Sequence, residues 1–282
     1  MMLARRPRGR ISVLMNALTS SLAVAGIVFA GAMVGLFASR LLPDTHMTRD
    51  TQDVVRLGTG MLSVLASLVL GLLIATAKGA SDNTVQSLRG YAADLILLDE
   101  TLRDYGDSAQ PQRALLRQYT ARTLHDIWPR DGKRAPVLAS QQTTLLLERV
   151  REAIRALHPV DDGQKWLMDQ ALQVNVTLLR QRWLLIAQQE ANIRPLVLAV
   201  LVSWITVIFA SFGLNAPRNA TVASAFLVCS LAIGGSIFLI LEMDHPFAGL
   251  LRVSSAPLRN ALDHMTVDSG ATATQGGIAP QR

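Results

Sequence analysis

The sequence predicts an all-α integral membrane protein with four transmembrane helices and a cytoplasmic helical bundle inserted between spans two and three. Half of its 282 residues are hydrophobic and 17% are charged, whereas soluble domains carry about 25% charged residues. Four apolar runs are long enough, at ~20 residues, for a helix to cross a bilayer. Between the second and third runs, the chain is polar and has the hydrophobic periodicity of amphipathic helices.

These patterns divide the chain into six parts. In order, we expect a basic cytoplasmic arm, a first pair of membrane helices, a cytoplasmic helical region, a second pair of membrane helices, a short cytoplasmic segment and a disordered tail: 1–10, 11–77, 78–194, 195–241, 242–264 and 265–282. The first run is longer than the apolar core of a signal peptide, which indicates an uncleaved span. Within it, Gly31 and Gly35 form a small-xxx-small pattern that lets another helix approach closely.

The second span, 57–77, repeats small or hydroxylated residues every four positions. These residues are Thr59, Ser63, Ser67, Gly71 and Ala75. One interpretation is helix packing, because small residues are favoured at helix contacts in membranes. The other is a water-lined pore face, on which hydroxyl groups replace part of an ion's hydration shell. Lys78 is expected to close this span.

The polar region should form four helices, near 81–105, 111–127, 136–157 and 161–191. The first has apolar residues at steps of three and four and should end at Gly106. The last carries Trp166 and Trp183 on one predicted apolar side. Four acidic residues of the first helix, Asp94, Asp99, Glu100 and Asp104, are spread over more than one face. We expect them to form surface salt bridges with neighbouring arginines.

Composition and motifs argue against an enzyme, a metal site and a cofactor. The sole cysteine, Cys229, permits no intrachain disulfide and no thiolate site, and the five histidines lack the spacing of metal ligands. No phosphate-binding loop, nucleophile elbow or HExxH motif occurs. The net charge of +6 includes four arginines at positions 5, 6, 8 and 10. Such a cluster favours anionic lipid and a cytoplasmic N-terminus over nucleic acid, and four spans then place both termini in the cytoplasm.

Several segments resemble a bacterial membrane family described as bestrophin-like. They include Leu42-Pro43, the run 64–73, the run 209–214 and the segment Leu241-Glu242-Met243-Asp244-His245-Pro246-Phe247-Ala248-Gly249. The family is distantly similar to bestrophins, which are homopentameric ion channels with four membrane helices and a large cytosolic helical part. The motif residues would be Pro246, Phe247, Gly249, Pro257 and Leu258, with one residue inserted before the glycine. No counterpart of the calcium clasp of animal bestrophins follows them.

The resemblance implies a multi-pass protein of the bacterial inner membrane, a homo-oligomer in the lipid bilayer that conducts an inorganic ion. Span two would line an axial pore through Thr59, Ser63, Val64, Ser67, Leu68, Gly71 and Leu72, with Val64, Leu68 and Leu72 as an aliphatic constriction. Glu242 and Asp244 would either form an acidic cytoplasmic mouth or pair locally with Arg252 or Arg259. The alternative function is a membrane scaffold or sensor, whose cytoplasmic helices bind a protein partner without conduction.

Overall fold

The computed structural model describes residues 10–38, 49–129, 136–189, 195–244, 246–247 and 252–275. Within these residues the fold is all-helical, with eight α-helices and no strand. The helices are α1 (Arg10–Ala38), α2 (Arg49–Tyr105), α3 (Gln110–Ile127), α4 (Gln141–Arg155), α5 (Asp162–Gln189), α6 (Pro195–Leu214), α7 (Ala220–Met243) and α8 (Ala256–Gln275). The basic arm at positions 5–10 lies almost wholly outside the described residues.

Helix α2 joins the second span to the polar region without a break. The sequence predicts an end at Lys78 and a new helix from about Ser81, but α2 runs through these positions for 57 residues. At a rise of 1.5 Å per residue, it is about 85 Å long. A single glycine such as Gly79 costs a helix only about 1 kcal/mol. Lys78 also forms an ion pair with Asp82, one turn further on, across the predicted break.

Four helices are long and apolar enough to cross a membrane: α1, the apolar part of α2, α6 and α7. They share a hydrophobic cluster that includes Val28, Ala66, Leu201, Ile205 and Ile237. The turn between α6 and α7 is short, and the side chain of Asn219 caps α7 by accepting a hydrogen bond from the Val222 N–H at 2.8 Å. Helix α6 is described from Pro195, the predicted start of the third span, and the residues just before it lie outside the described part of the chain.

The close approach predicted from Gly31 and Gly35 is confirmed, and the partner helix is α6. A Cβ atom at Gly35 would collide with the carbonyl oxygen of Ala210, and one at Gly31 would lie 2.6 Å from Cγ2 of Thr206. Gly213 of α6 is packed in the same way against the Ala32 carbonyl. Because none of these glycines has a side chain, the two backbones lie in direct contact. Van der Waals packing of this kind stabilises helix pairs in membranes.

The second half of α2, from Gly79, packs with α3, α4, α5 and α8 into what we call the helical bundle. The predicted apolar face of this half is confirmed, since Leu88, Leu95, Leu98 and Leu102 are all buried. Helix α2 ends where expected, at Gly106, whose φ of 112° is a conformation that side-chain-bearing residues rarely adopt. The spacing of the leucines along α2 therefore predicts which of its side chains lie in the bundle core.

The predicted apolar side of α5 is right only in part. It includes Leu172, Leu179 and Ile186, which pack against the bundle core, but Trp166 and Trp183 are 64% and 55% exposed. The buried apolar residues of α5 are Ala171, Val174, Leu178 and Leu185. The two tryptophans shift the predicted face because they are the largest apolar side chains of the helix, whereas the core residue Ala171 is small. The bundle consequently presents two large aromatic side chains on its surface.

The expectation that the four acidic residues of α2 form surface salt bridges with neighbouring arginines holds only for Asp104, and it is most clearly wrong for Asp99. Its carboxylate accepts two hydrogen bonds from Arg113 of α3, at 3.0 Å from Nε and 2.7 Å from Nη2, and both side chains are 1% exposed. Asp104 lies near Arg103 on the surface, Glu100 lies 3.9 Å from His264, and Asp94 accepts a hydrogen bond from Gln181. One member of the set is therefore a core ion pair between two helices.

Two helix boundaries differ from the predicted ones. Helix α4 begins at Gln141, five residues after Pro136, and buried Arg182 of α5 donates hydrogen bonds to the carbonyl oxygens of Leu138 and Ser140 in the stretch before it. At the other end of the chain, α8 runs to Gln275 through eleven residues predicted to be disordered. Its first half is anchored in the core by Leu258, Ala261 and Met265, and extending an existing helix is easier than nucleating one.

Candidate pore surface

The membrane half of α2, residues 57–77, is the span least covered by the rest of the chain. Only 11% of the most apolar window of α2 is buried, compared with 33% for α1 and 22% for each of α6 and α7. Its inward side packs on the other spans through Leu62, Ala66 and Val69. The opposite side must meet lipid, water or another copy of the chain.

The five most exposed large apolar side chains of this half of α2 lie on this uncovered side. Val64, Leu68 and Leu72, the three predicted constriction residues, are 69%, 68% and 65% exposed. Leu57 and Met61 precede them on the same side and are 65% and 63% exposed. These two residues were not among the predicted pore residues, because they belong neither to the four-residue repeat nor to the predicted constriction. We call the five residues the α2 outer face.

The four-residue repeat of small and hydroxylated side chains does not form a single face. Each step of four advances the helix by ~40° beyond a full turn, so Thr59 and Gly71 lie ~120° apart around α2. Thr59 is buried and its hydroxyl shares a 2.8 Å hydrogen bond with that of Ser211 on α6. Half-buried Ser63 donates to the Thr59 carbonyl, while Ser67 and Gly71 are exposed beside the α2 outer face. The repeat thus begins as a packing contact and ends at the surface.

The two predicted mouth residues lie in different environments. Glu242 is 1% exposed at the end of α7, inside the chain. Asp244, two residues later, is half-buried and lines a cavity of about 170 Å³ with Ser81, Thr84 and Gln188. This cavity lies where the membrane half of α2 meets the helical bundle. Of the two carboxylates, only that of Asp244 faces a space that water can enter.

The predicted motif ties the end of the fourth span to the bundle. Pro246 and Phe247 are buried, and the Phe247 ring packs edge-on against Trp128 with centroids 6.0 Å apart. The Trp128 indole N–H donates to the Val253 carbonyl at 3.0 Å, and the Val253 N–H donates to the Pro246 carbonyl at 2.7 Å. Pro257 opens α8 and Leu258 is fully buried, while Gly249 lies outside the described residues.

Trp128 is the contact that sequence reasoning missed. From the sequence, Trp128 is only the residue that follows the predicted helix 111–127, and in the structure it is the C-cap of α3. Its indole ring packs against Phe247 and its N–H donates to the Val253 carbonyl, so both contacts are with the segment that follows α7. Nothing in the local sequence links position 128 to position 253. The aromatic residue at a helix end was nevertheless a signal, because buried tryptophans usually need a hydrogen-bond partner.

Comparison with known proteins decides the family. The model of the Bestrophin-like domain matches residues 26–258. The chain belongs to the Bestrophin-like family. The matched domain begins within α1, contains α2 to α7 and ends at Leu258 of the motif. It therefore takes in the α2 outer face and the Trp128–Phe247 contact together.

Solved structures share this fold at low sequence identity. One variant of a bacterial bestrophin homologue from Klebsiella pneumoniae matches with a TM-score of 0.66 at 13% identity, over 90% of this chain and 98% of that one. A second variant of that homologue gives 0.61 at 14% identity, over 89% and 99%. A structure described as a membrane protein gives the same TM-score, identity and coverage. No curated protein matches the chain. At these identities the similarity establishes the bestrophin fold.

Proposed function

We propose that this Bestrophin-like protein is an ion channel, a homo-oligomer in which the α2 helices of several copies surround an axial pore. The observation that supports it best is the α2 outer face. It lies on the span with the least cover from its own chain, although the other three spans pack together. Symmetric assembly would place these faces around one axis. By resemblance to bestrophins the oligomer is a pentamer.

In this proposal, Val64, Leu68 and Leu72 form the aliphatic constriction, since they project from three successive turns of α2. Hydrophobic constrictions control ion flow by excluding water. Ser67 and Gly71 lie beside these three constriction residues. The Ser67 hydroxyl group can contact a hydrated ion, and Gly71 leaves space for the ion's hydration shell. Asp244 is the acidic residue that fits a cytoplasmic mouth, because buried Glu242 does not face solvent.

The localisation follows from the same reasoning. The proposed site is the bacterial inner membrane, with both termini and the helical bundle in the cytoplasm, because cytoplasmic segments are enriched in Lys and Arg. The division of the chain at positions 77, 194 and 241 belongs to this proposal. Helices α6 and α7, which cover 195–214 and 220–243, would be the second pair of membrane helices.

The test is planar-bilayer conductance of the purified protein in a sodium chloride gradient. Ser67→Leu adds a bulky apolar side chain beside the constriction and should lower single-channel conductance several-fold, with the oligomer mass unchanged. Ser224→Leu is the matched control, because Ser224 is an exposed serine of α7 whose hydroxyl bonds only within its own helix. It should leave conductance unaltered.

A second candidate function, a membrane scaffold, is favoured by exposed Trp166 and Trp183 on the helical bundle. It predicts no current from well-assembled protein at either polarity. A silent bilayer would therefore refute the channel proposal. Equal conductance changes in Ser67→Leu and Ser224→Leu would refute the assignment of the pore to α2, but they would not refute the channel proposal itself.

A further inference from the structure

A cavity of about 360 Å³ opens between α2, α6 and α7 at the end of the membrane helices remote from the helical bundle. Its position follows from its lining, which comes from the beginning of α2, the end of α6 and the beginning of α7. The residues that matter for its chemistry are Arg56, Thr59, Ser211, Asn215, Phe212 and Phe226. None of them belongs to the α2 outer face.

One wall of this cavity is polar. The hydroxyl groups of Thr59 and Ser211 bond each other at 2.8 Å, and the Asn215 side-chain amide donates to the Ser211 carbonyl at 3.0 Å. Arg56 is the charged member of the lining, which includes no acidic residue. Within the described part of the chain, no carboxylate forms an ion pair with Arg56. The cavity thus carries one positive charge that its own walls do not neutralise.

The opposite wall is apolar. It consists of Phe212 from α6 together with Val222, Ala225 and Phe226 from α7. The Phe226 ring is held by Phe209, with ring centroids 6.1 Å apart. Arg56 immediately precedes the apolar segment that begins at Leu57, which places the guanidinium at the level where lipid head groups meet acyl chains. Along the membrane normal, the cavity therefore presents first a positive charge and then apolar surface. A phospholipid has its phosphate and its acyl chains in the same order.

We propose that this cavity binds an anionic phospholipid, with its phosphate on Arg56 and the upper part of one acyl chain against Phe212 and Phe226. A guanidinium is always charged in proteins and matches a phosphate with two parallel hydrogen bonds. A free phosphate would leave the apolar wall unused. A zwitterionic lipid would bring a quaternary ammonium that cancels the charge of its own phosphate, so the cavity would keep the net positive charge of Arg56. The inference concerns binding only, so it stands or falls independently of ion conduction.

The experiment is native mass spectrometry of the full-length protein, delipidated in detergent and titrated with phosphatidylglycerol, phosphatidylcholine or inorganic phosphate. Arg56→Gln should weaken phosphatidylglycerol binding about tenfold, which is the size of one charge-assisted contact. Arg56→Lys should fall between the wild type and Arg56→Gln, because lysine keeps the charge and loses the planar fork. The control is Arg218→Gln, since Arg218 donates to the Leu36 carbonyl outside this cavity. It should bind like the wild type.

Each outcome decides the proposal. Tenfold weakening confined to the Arg56 variants, with phosphatidylcholine bound more weakly, supports it. Unchanged phosphatidylglycerol binding by Arg56→Gln overturns it. Equal binding of phosphatidylcholine overturns the requirement for an anionic head group, and displacement of the lipid by inorganic phosphate overturns the role of the acyl chain. Ala225→Trp, which fills the apolar wall, should lower lipid binding while the guanidinium remains in place.

Discussion

The Asp99–Arg113 ion pair is the most demanding contact at the scale of single residues. Both side chains are almost completely buried, and two hydrogen bonds join them between α2 and α3. Desolvating two charges is expensive, and their mutual attraction offsets this cost only while both partners are present. The pair therefore fixes the register of α3 on α2 more than it adds net stability.

Removal of one partner should destabilise the protein strongly. Arg113→Met or Asp99→Leu alone leaves a buried unpaired charge and should cost about 3–5 kcal/mol of unfolding free energy. The double variant Asp99→Leu/Arg113→Met replaces the pair by apolar groups and should recover most of that loss. Chemical denaturation of the detergent-solubilised protein measures all four members of the cycle. A double variant as unstable as the sum of the singles would contradict this account.

At the scale of helices, the contact between α1 and α6 depends on the absence of side chains. Gly31, Gly35 and Gly213 each lie where a Cβ atom would meet the backbone or side chain of the opposite helix. Since the backbones touch, the dispersion energy of this contact is spread over the whole crossing. A single methyl group at the centre would force the helices apart.

Gly35→Ala tests this contact. The new methyl group would collide with the Ala210 carbonyl, and overpacking of this kind costs about 1–3 kcal/mol. Gly26→Ala is the control on the same helix, because nothing lies within 4 Å of its Cβ position. That change should be neutral or slightly stabilising, as alanine favours helix. Thermal unfolding of the two purified variants separates them, and equal melting temperatures would argue against a tight crossing.

The elements that could be predicted are those encoded locally. The four apolar helices, the Gly31–Gly35 contact and the leucine face of α2 all follow from spacing within one segment. The pairing of Asp99 with Arg113 could not be predicted, because it depends on how α3 turns back at Gly106. For the candidate pore, spacing indicated the span that is least covered by its own chain and aliphatic residues of it that are exposed. The packing contact of Thr59 could not be predicted, because its partner Ser211 is 152 residues away.

At the scale of the whole molecule, the helical bundle has a surface of large apolar side chains whose exposure to water is unfavourable. Trp166, Val176, Trp183 and Leu184 of α5 are each about half exposed or more. Exposed apolar patches of this size in soluble regions mark interaction sites. In the proposed homo-oligomer, the neighbouring copy would cover this face.

Trp183→Arg should therefore weaken the oligomer. Truncated or charged tryptophans at interface centres cost 2 kcal/mol or more, roughly thirtyfold in affinity. Gln173→Arg is the matched control, because it adds the same charge at an exposed polar position of α5. Light scattering after size-exclusion chromatography should show a smaller mass for Trp183→Arg only. An unchanged mass would assign this face to a different partner.

Because α2 is a single proline-free helix of about 85 Å, it has no hinge between the bundle and the membrane. Its two ends are therefore coupled in torsion. A rotation of α2 about its own axis that starts near Tyr105 must reach Leu68 with the same sign. A turn of ~100° would exchange Leu68 for Ser67 at any given direction in the membrane, so in the proposed channel a rotation of a few tens of degrees would already change the hydration of the constriction.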